Sequence, residues 1–131
     1  MKLTIPYYLH KVGAGFPSPA TDYIEDDIDL NSHLITNAPA TFIIRVQGKS
    51  MTNVGIYDGD LLIVDKSLNP KNFSTVIANV NEELVVKNLV KSKDNNYLTS
   101  GSKHTSDRIN LTDNPEIIIW GVVTYVIHKQ Q

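Results

Sequence analysis

The chain has 131 residues, 41% hydrophobic and 20% charged, which is enough apolar material for one core and too little length for a second catalytic domain. Twelve Lys and Arg against fourteen Asp and Glu leave a formal charge of −2, so a general nucleic-acid surface, which draws on clustered positive charge, is not expected. The absence of Cys excludes disulfides, thiolate nucleophiles, iron–sulfur clusters and Cys-ligated zinc.

Residues 1–20 carry Gly13, Gly15, Pro17 and Pro19 with no sustained period, and read as a flexible or extended arm ahead of a domain spanning 21–131. The opening apolar stretch is interrupted by Thr4, Pro6 and His10, which makes a poor secretory signal, and a cytoplasmic protein is expected. Asp22, Glu25, Asp26, Asp27 and Asp29 follow as a solvated, acid-rich lead-in. Asp29 stands as an N-cap before Leu30, with Leu34 four residues on, so one short helix is expected to stop near Asn37 and Pro39.

From Thr41 the pattern is that of strands. Phe42, Ile44 and Val46 alternate with Ile43, Arg45 and Gln47, as one apolar face requires, and a turn begins at Gly48. Leu61 to Val64 is a short apolar run behind the tight-turn pair Asp58-Gly59. Thr75 to Val80 and Glu83 to Leu89, separated by Asn81 and Glu82, predict a hairpin. Lys91 to Ser106 is polar and reads mostly as loop, with a short strand at Tyr97 and Leu98 and brief pairing at Ile109 to Leu111. The longest strongly apolar run, Ile117 to Ile127, falls well short of the ~20 residues of a spanning helix and reads as a strand, with Gly121 marking a bulge or close packing. Six or seven short strands and one small helix predict a mainly β domain with a bent, partly closed sheet.

Two positions carry candidate chemistry. Ser50 follows a strand and a glycine in RVQGKSM, at a turn where a hydroxyl and neighbouring backbone N–H groups can converge on one carbonyl, as acylation by serine requires. In ELVVKNL, strand alternation puts Lys87 on the face of Val85 and Leu89, where desolvation of the ammonium favours the neutral amine that can accept a proton. Taken singly, Ser50 also reads as an ordinary turn serine, and Lys87 as a strand lysine laying its stem along apolar surface. Together they permit a Ser/Lys dyad, which needs neither His nor Asp. His10, His33, His104 and His128 fall in no triad or zinc spacing and read as surface or packing residues, so no metal or cofactor is expected.

The segments FPSPATDYIEDDIDLNSHLI, GKSM, YDGDLLIVD, VVKNL and WGVV, in this order, resemble the LexA/UmuD-type S24 serine peptidases over nearly the whole chain, most strongly from Phe16 to Leu89. The resemblance implies the LexA/UmuD-like peptidase fold, with Ser50 as nucleophile, Lys87 as general base and the backbone N–H groups of Lys49 and Ser50 as oxyanion donors. It also implies self-cleavage between Ala14 and Gly15, leaving residues 15–131. For accessory proteins of this kind in the SOS response, it implies stimulation by a RecA-type recombinase filament on single-stranded DNA. The processed homodimer would then join an error-prone Y-family polymerase in translesion synthesis, with no direct DNA binding and no membrane contact.

Two departures accompany the likeness. The arm ahead of the cleavage site is short, and a Pro-x-Asn element expected before a Tyr-x-Pro is missing from Thr99 to Leu111. Another S24-type peptidase or phage-type regulator, and a non-enzymatic protein-binding module of the same fold, are the alternatives. A DNA-binding repressor would need a helix-turn-helix that the arm is too short to hold.

Overall fold

The computed structural model describes residues 4–8, 24–101 and 108–131. The chain divides into two compact units, Met1–Thr36 and Asn37–Gln131. In the first, β1 (Thr4–Tyr8) pairs antiparallel with β2 (Ile24–Asp29), in a register that sets Thr4 opposite Asp29 and Pro6 opposite Asp27. Neither strand has a counterpart in the sequence reading, in which Thr4–Tyr8 is part of an arm and the stretch around Glu25 to Asp29 is a solvated, acid-rich lead-in. Pro6 interrupts any alternation in Thr4–Tyr8, and the partner lies some twenty residues away, so no local pattern reports the pairing.

The five-residue helix α1 (Leu30–Leu34) begins where the cap predicts. Asp29 accepts from the Asn31 N–H at 3.2 Å and from the Ser32 hydroxyl at 2.9 Å, satisfying donors that the first helical turn leaves without partners. The Ile35 N–H closes the helix on the Asn31 carbonyl, and Pro39 follows inside a 3-10 turn at Ala38–Ala40.

The second unit is a seven-stranded sheet. Its strands are β3 (Thr41–Arg45), β4 (Leu61–Asp65), β5 (Thr75–Val80), β6 (Glu83–Lys91), β7 (Asn96–Thr99), β8 (Ile109–Asn110) and β9 (Ile118–Ile127). They lie in the order β3-β4-β9-β5-β6-β7-β8, with every ladder antiparallel. The mainly β fold with one short helix is as expected. Closure is not seen, since β3 and β8 end the order without pairing to each other.

The β5–β6 hairpin turns at Asn81 and Glu82, both with positive φ (52° and 67°), as a two-residue turn of the I′ kind demands. Glycine has a packing role at one strand position. A Cβ on Gly121 would lie 2.6 Å from a Val64 methyl carbon and 3.3 Å from the Asp65 carbonyl oxygen, and the β5–β9 register shifts beside it. Both readings of Gly121, a bulge and a close approach, therefore hold.

Alternation along β5 divides the core. Ile77 joins Val46, Met51, Ile56, Leu62 and Val64 in one buried cluster. Val76 and Ala78, pointing the other way, join Leu89 and Leu98 in a second. Phe42 and Ile44 pack on the first cluster while Ile43 between them is exposed, which is the face assignment read from the sequence.

Candidate active site

The turn bearing Ser50 is held from beneath and from behind. Met51, only 2% exposed, drives into the first core cluster immediately after the serine. The carbonyl of Met51 accepts from the N–H groups of Val54 and Ile56, closing the 3-10 turn at Thr52–Val54. Gly48 has φ +103°, a backbone that side-chain-bearing residues rarely adopt, and its N–H donates to the Asp58 carboxylate at 2.8 Å. Asp58 thus ties the loop 57–60 to the chain entering the serine turn. Ser50 itself is exposed, and among the described residues neither its hydroxyl nor the N–H groups of Lys49 and Ser50 have a hydrogen-bond partner. A turn anchored by a buried side chain and presenting unpaired N–H groups beside a free hydroxyl has the components of an oxyanion-binding serine site.

Lys87 comes from β6. It stands opposite Val76 in the β5–β6 ladder, on the face that carries Val85 and Leu89, so it is half-buried against the second core cluster as alternation predicts. Its ammonium donates to the Ser100 hydroxyl at 2.7 Å. Ser100 is 3% exposed. Sequence reasoning did not single it out, because it lies in a polar stretch that reads as loop. The available signal was register: with Asn88 opposite Thr99 in an antiparallel ladder, the next pair is Lys87 and Ser100, on one face.

Ser50 and Lys87 line one open cleft of about 390 Å³. Arg45, Gly48 and Ser50 border it from the end of β3 and the turn beyond, and Glu83, Val85 and Lys87 from β6. No hydrogen bond joins Ser50 to Lys87 in this conformation, in which the amine is engaged by Ser100. Ser50 and Lys87 nonetheless line the same space, and catalytic hydrogen bonds commonly tighten only when substrate is bound. β3 ends the sheet, and residues 83–87 of β6 lie beyond the ladder with β7, so both walls include strand with an unpaired side. Such walls suit an extended peptide, which main-chain hydrogen bonds can register along them.

Behind the serine turn lies a second polar contact. Asp60 is 2% exposed; its carboxylate accepts from the Tyr57 N–H at 2.9 Å and meets His128 Nδ1 at 2.6 Å. The Tyr57 N–H bond is the largest influence on Asp60 and holds its carboxyl below the usual aspartate range; burial opposes this and His128 reinforces it. The Tyr57 contact closes the 57–60 turn through the Asp60 side chain. His128, read as a surface or packing residue, also tilts its ring against Tyr57, with centroids 5.3 Å apart. His33 is exposed, and His10 and His104 lie outside the described residues, as do Ala14 and Gly15. Among the described residues no group of His, Asp and Glu could hold a metal, and no helix is long and apolar enough to cross a membrane.

Comparison with known proteins places this geometry in context. A family profile described as Peptidase S24-like matches residues 6–124. The chain is 42% identical to Protein ImpA of Salmonella typhimurium over 124 residues, covering 95% of this chain and 83% of that protein. It is 38% identical to Protein SamA of Salmonella typhimurium strain LT2 over 135 residues, covering 96% and 86%. Protein MucA of Escherichia coli is 37% identical over 122 residues, covering 93% and 83%.

Proposed function

The chain belongs to the S24 peptidase family, as a member of its UmuD/ImpA type, and from that footing we propose that it is a self-cleaving serine peptidase of the SOS response. Its substrate is its own bond between Ala14 and Gly15. Neutral Lys87 takes the Ser50 proton, and the alkoxide attacks the Ala14 carbonyl. The N–H groups of Lys49 and Ser50 hold the resulting oxyanion. Collapse breaks the Ala14–Gly15 bond as the Lys87 ammonium protonates the Gly15 amine, leaving residues 1–14 esterified to Ser50. Water then releases them with Lys87 again acting as base, giving an Ala14 carboxylate and restoring the serine. The observation that carries this reading is that Ser50 and Lys87 line one cleft whose walls suit an extended peptide.

Cleavage acts as an assembly switch in the cytoplasm. The arm up to Ala14 is removed from the peptidase domain over 21–131 when a RecA-type recombinase filament on single-stranded DNA engages the chain. The processed homodimer then serves a Y-family polymerase as an accessory subunit in translesion synthesis. Identity with SamA and MucA over almost the whole chain supports the grouping. The net charge of −2 is in keeping with a subunit that meets DNA only through partners. Exposed Ile118, Trp120 and Ile127 on β9 supply apolar surface for a second copy.

The test is to mix the purified chain with recombinase, nucleotide and single-stranded DNA and to identify the new amino terminus by mass spectrometry. A product beginning at Gly15 is expected from the parent, and none from Ser50→Ala or Lys87→Ala. Undiminished cleavage in either variant would remove that residue from the mechanism, and an uncut parent would favour the binding-module alternative.

A further inference from the structure

We propose that Ser100 is a positioning residue for self-cleavage: its hydroxyl holds the Lys87 amine at the cleft and couples it to the turn that carries Ser50. The inference rests on the dyad reading above and adds to it a third side chain.

Three observations support it. Ser100 is buried, and its hydroxyl accepts from Lys87 Nζ at 2.7 Å, the single hydrogen bond made by that amine among the described residues. A lysine side chain has four rotatable bonds, so an amine without such a partner would sample many positions; a buried acceptor selects one. The second observation is register. The β6–β7 ladder ends at the Asn88–Thr99 pair, so Lys87 and Ser100 each lie one residue beyond it and their side chains meet across that end.

The third observation is the connection onward to the nucleophile. Gly101 has φ +101°, and a Cβ there would lie 2.2 Å from Nδ2 of Asn53. Asn53 belongs to the 3-10 turn that opens two residues after Ser50. Gly101 is thus packed against Asn53 of the turn that follows Ser50, while Ser100 itself holds the base. The hydroxyl can also accept from an ammonium or donate to a neutral amine, so it can stay bonded to Lys87 as the proton moves to and from Ser50.

The experiment uses the full 131-residue chain and follows release of the fragment beginning at Gly15 at one fixed pH, with the folded fraction of each variant measured by circular dichroism. The other charged groups lining the cleft, Arg45 and Glu83, are kept unchanged. In Ser100→Ala the rate per folded molecule is expected to fall roughly ten- to a hundredfold, as misplacing a reacting group does. Ser100→Thr, which keeps the hydroxyl, should restore most of that rate.

A Ser100→Ala rate per folded molecule equal to the parent's would overturn the inference. So would a slower rate that loss of folded protein fully accounts for, or a Ser100→Thr rate that stays where Ser100→Ala left it. Lys87→Ala separates the two levels. If it cleaves normally, the dyad reading itself fails; if it is inert while Ser100→Ala matches the parent, only the role of Ser100 fails.

Discussion

Replacing Gly121 with Ala puts the close approach of β9 to β4 to a direct test. Gly121 is buried in β9, between β4 and β5. An added Cβ would lie 2.6 Å from a Val64 methyl carbon, about 1 Å inside ordinary carbon–carbon contact. Val64 is fully buried in the cluster that also holds Met51, so its side chain has little room to rotate. Moving the strand is no easier, since Asp65, whose carbonyl oxygen would be 3.3 Å away, is paired with Val122.

An off-rotamer side chain costs about 0.5–1.5 kcal/mol and overpacking about 1–3 kcal/mol, while Ala in place of Gly returns about 0.4–1 kcal/mol by restricting the unfolded chain. The net expectation is a loss of about 1–2 kcal/mol, a fall in Tm of roughly 3–10 °C for a domain of this size. Thermal unfolding followed by circular dichroism, in an uncleavable Ser50→Ala background, reads the difference. A Gly121→Ala variant as stable as its parent would mean that Val64 yields freely and that the glycine is not required by packing.

Other outcomes follow from separate features. Glu82 is held at φ 67° in the β5–β6 turn, so Glu82→Gly should stabilise the chain by about 0.5–1 kcal/mol in urea titrations, and no gain would count against backbone strain at that position. The Asp60 carboxyl is held below its ordinary value of 3.8, so its contribution is complete above that value and is lost as pH falls through the lower, folded-state value. Acid unfolding of the parent should therefore steepen below pH about 4 relative to Asp60→Asn, and equal slopes would refute the assignment. The proposed cut falls between β1 and β2, whose five-residue ladder is then no longer joined by the chain. An isolated two-stranded pairing is marginal in water, so residues 1–14 should separate from 15–131 on gel filtration after cleavage. Co-elution would show that other contacts retain the arm.

Much of the candidate site could be read along the chain. Ser50 could be found because a glycine, a polar residue and a buried methionine at a strand end form a local turn. Lys87 could be assigned to an apolar face because strand alternation has a fixed period of two. The Asn81–Glu82 turn, the Asp29 cap and the special place of Gly121 follow from the same short-range rules, and each stands where it was expected.

What the sequence by itself determined is thus the part of the protein governed by neighbours within a few residues: the strand positions from Thr41 onward, their inward faces and the helix cap. Beyond the β5–β6 hairpin, only the tertiary structure decided which strands meet. It brought β1 to β2, set His128 beside Asp60 across 68 positions, and laid Ser100 against Lys87. Those contacts depend on sheet order and register, which come from burying two apolar faces at once. Because many pairings satisfy the same local pattern, no short stretch of residues records the one adopted.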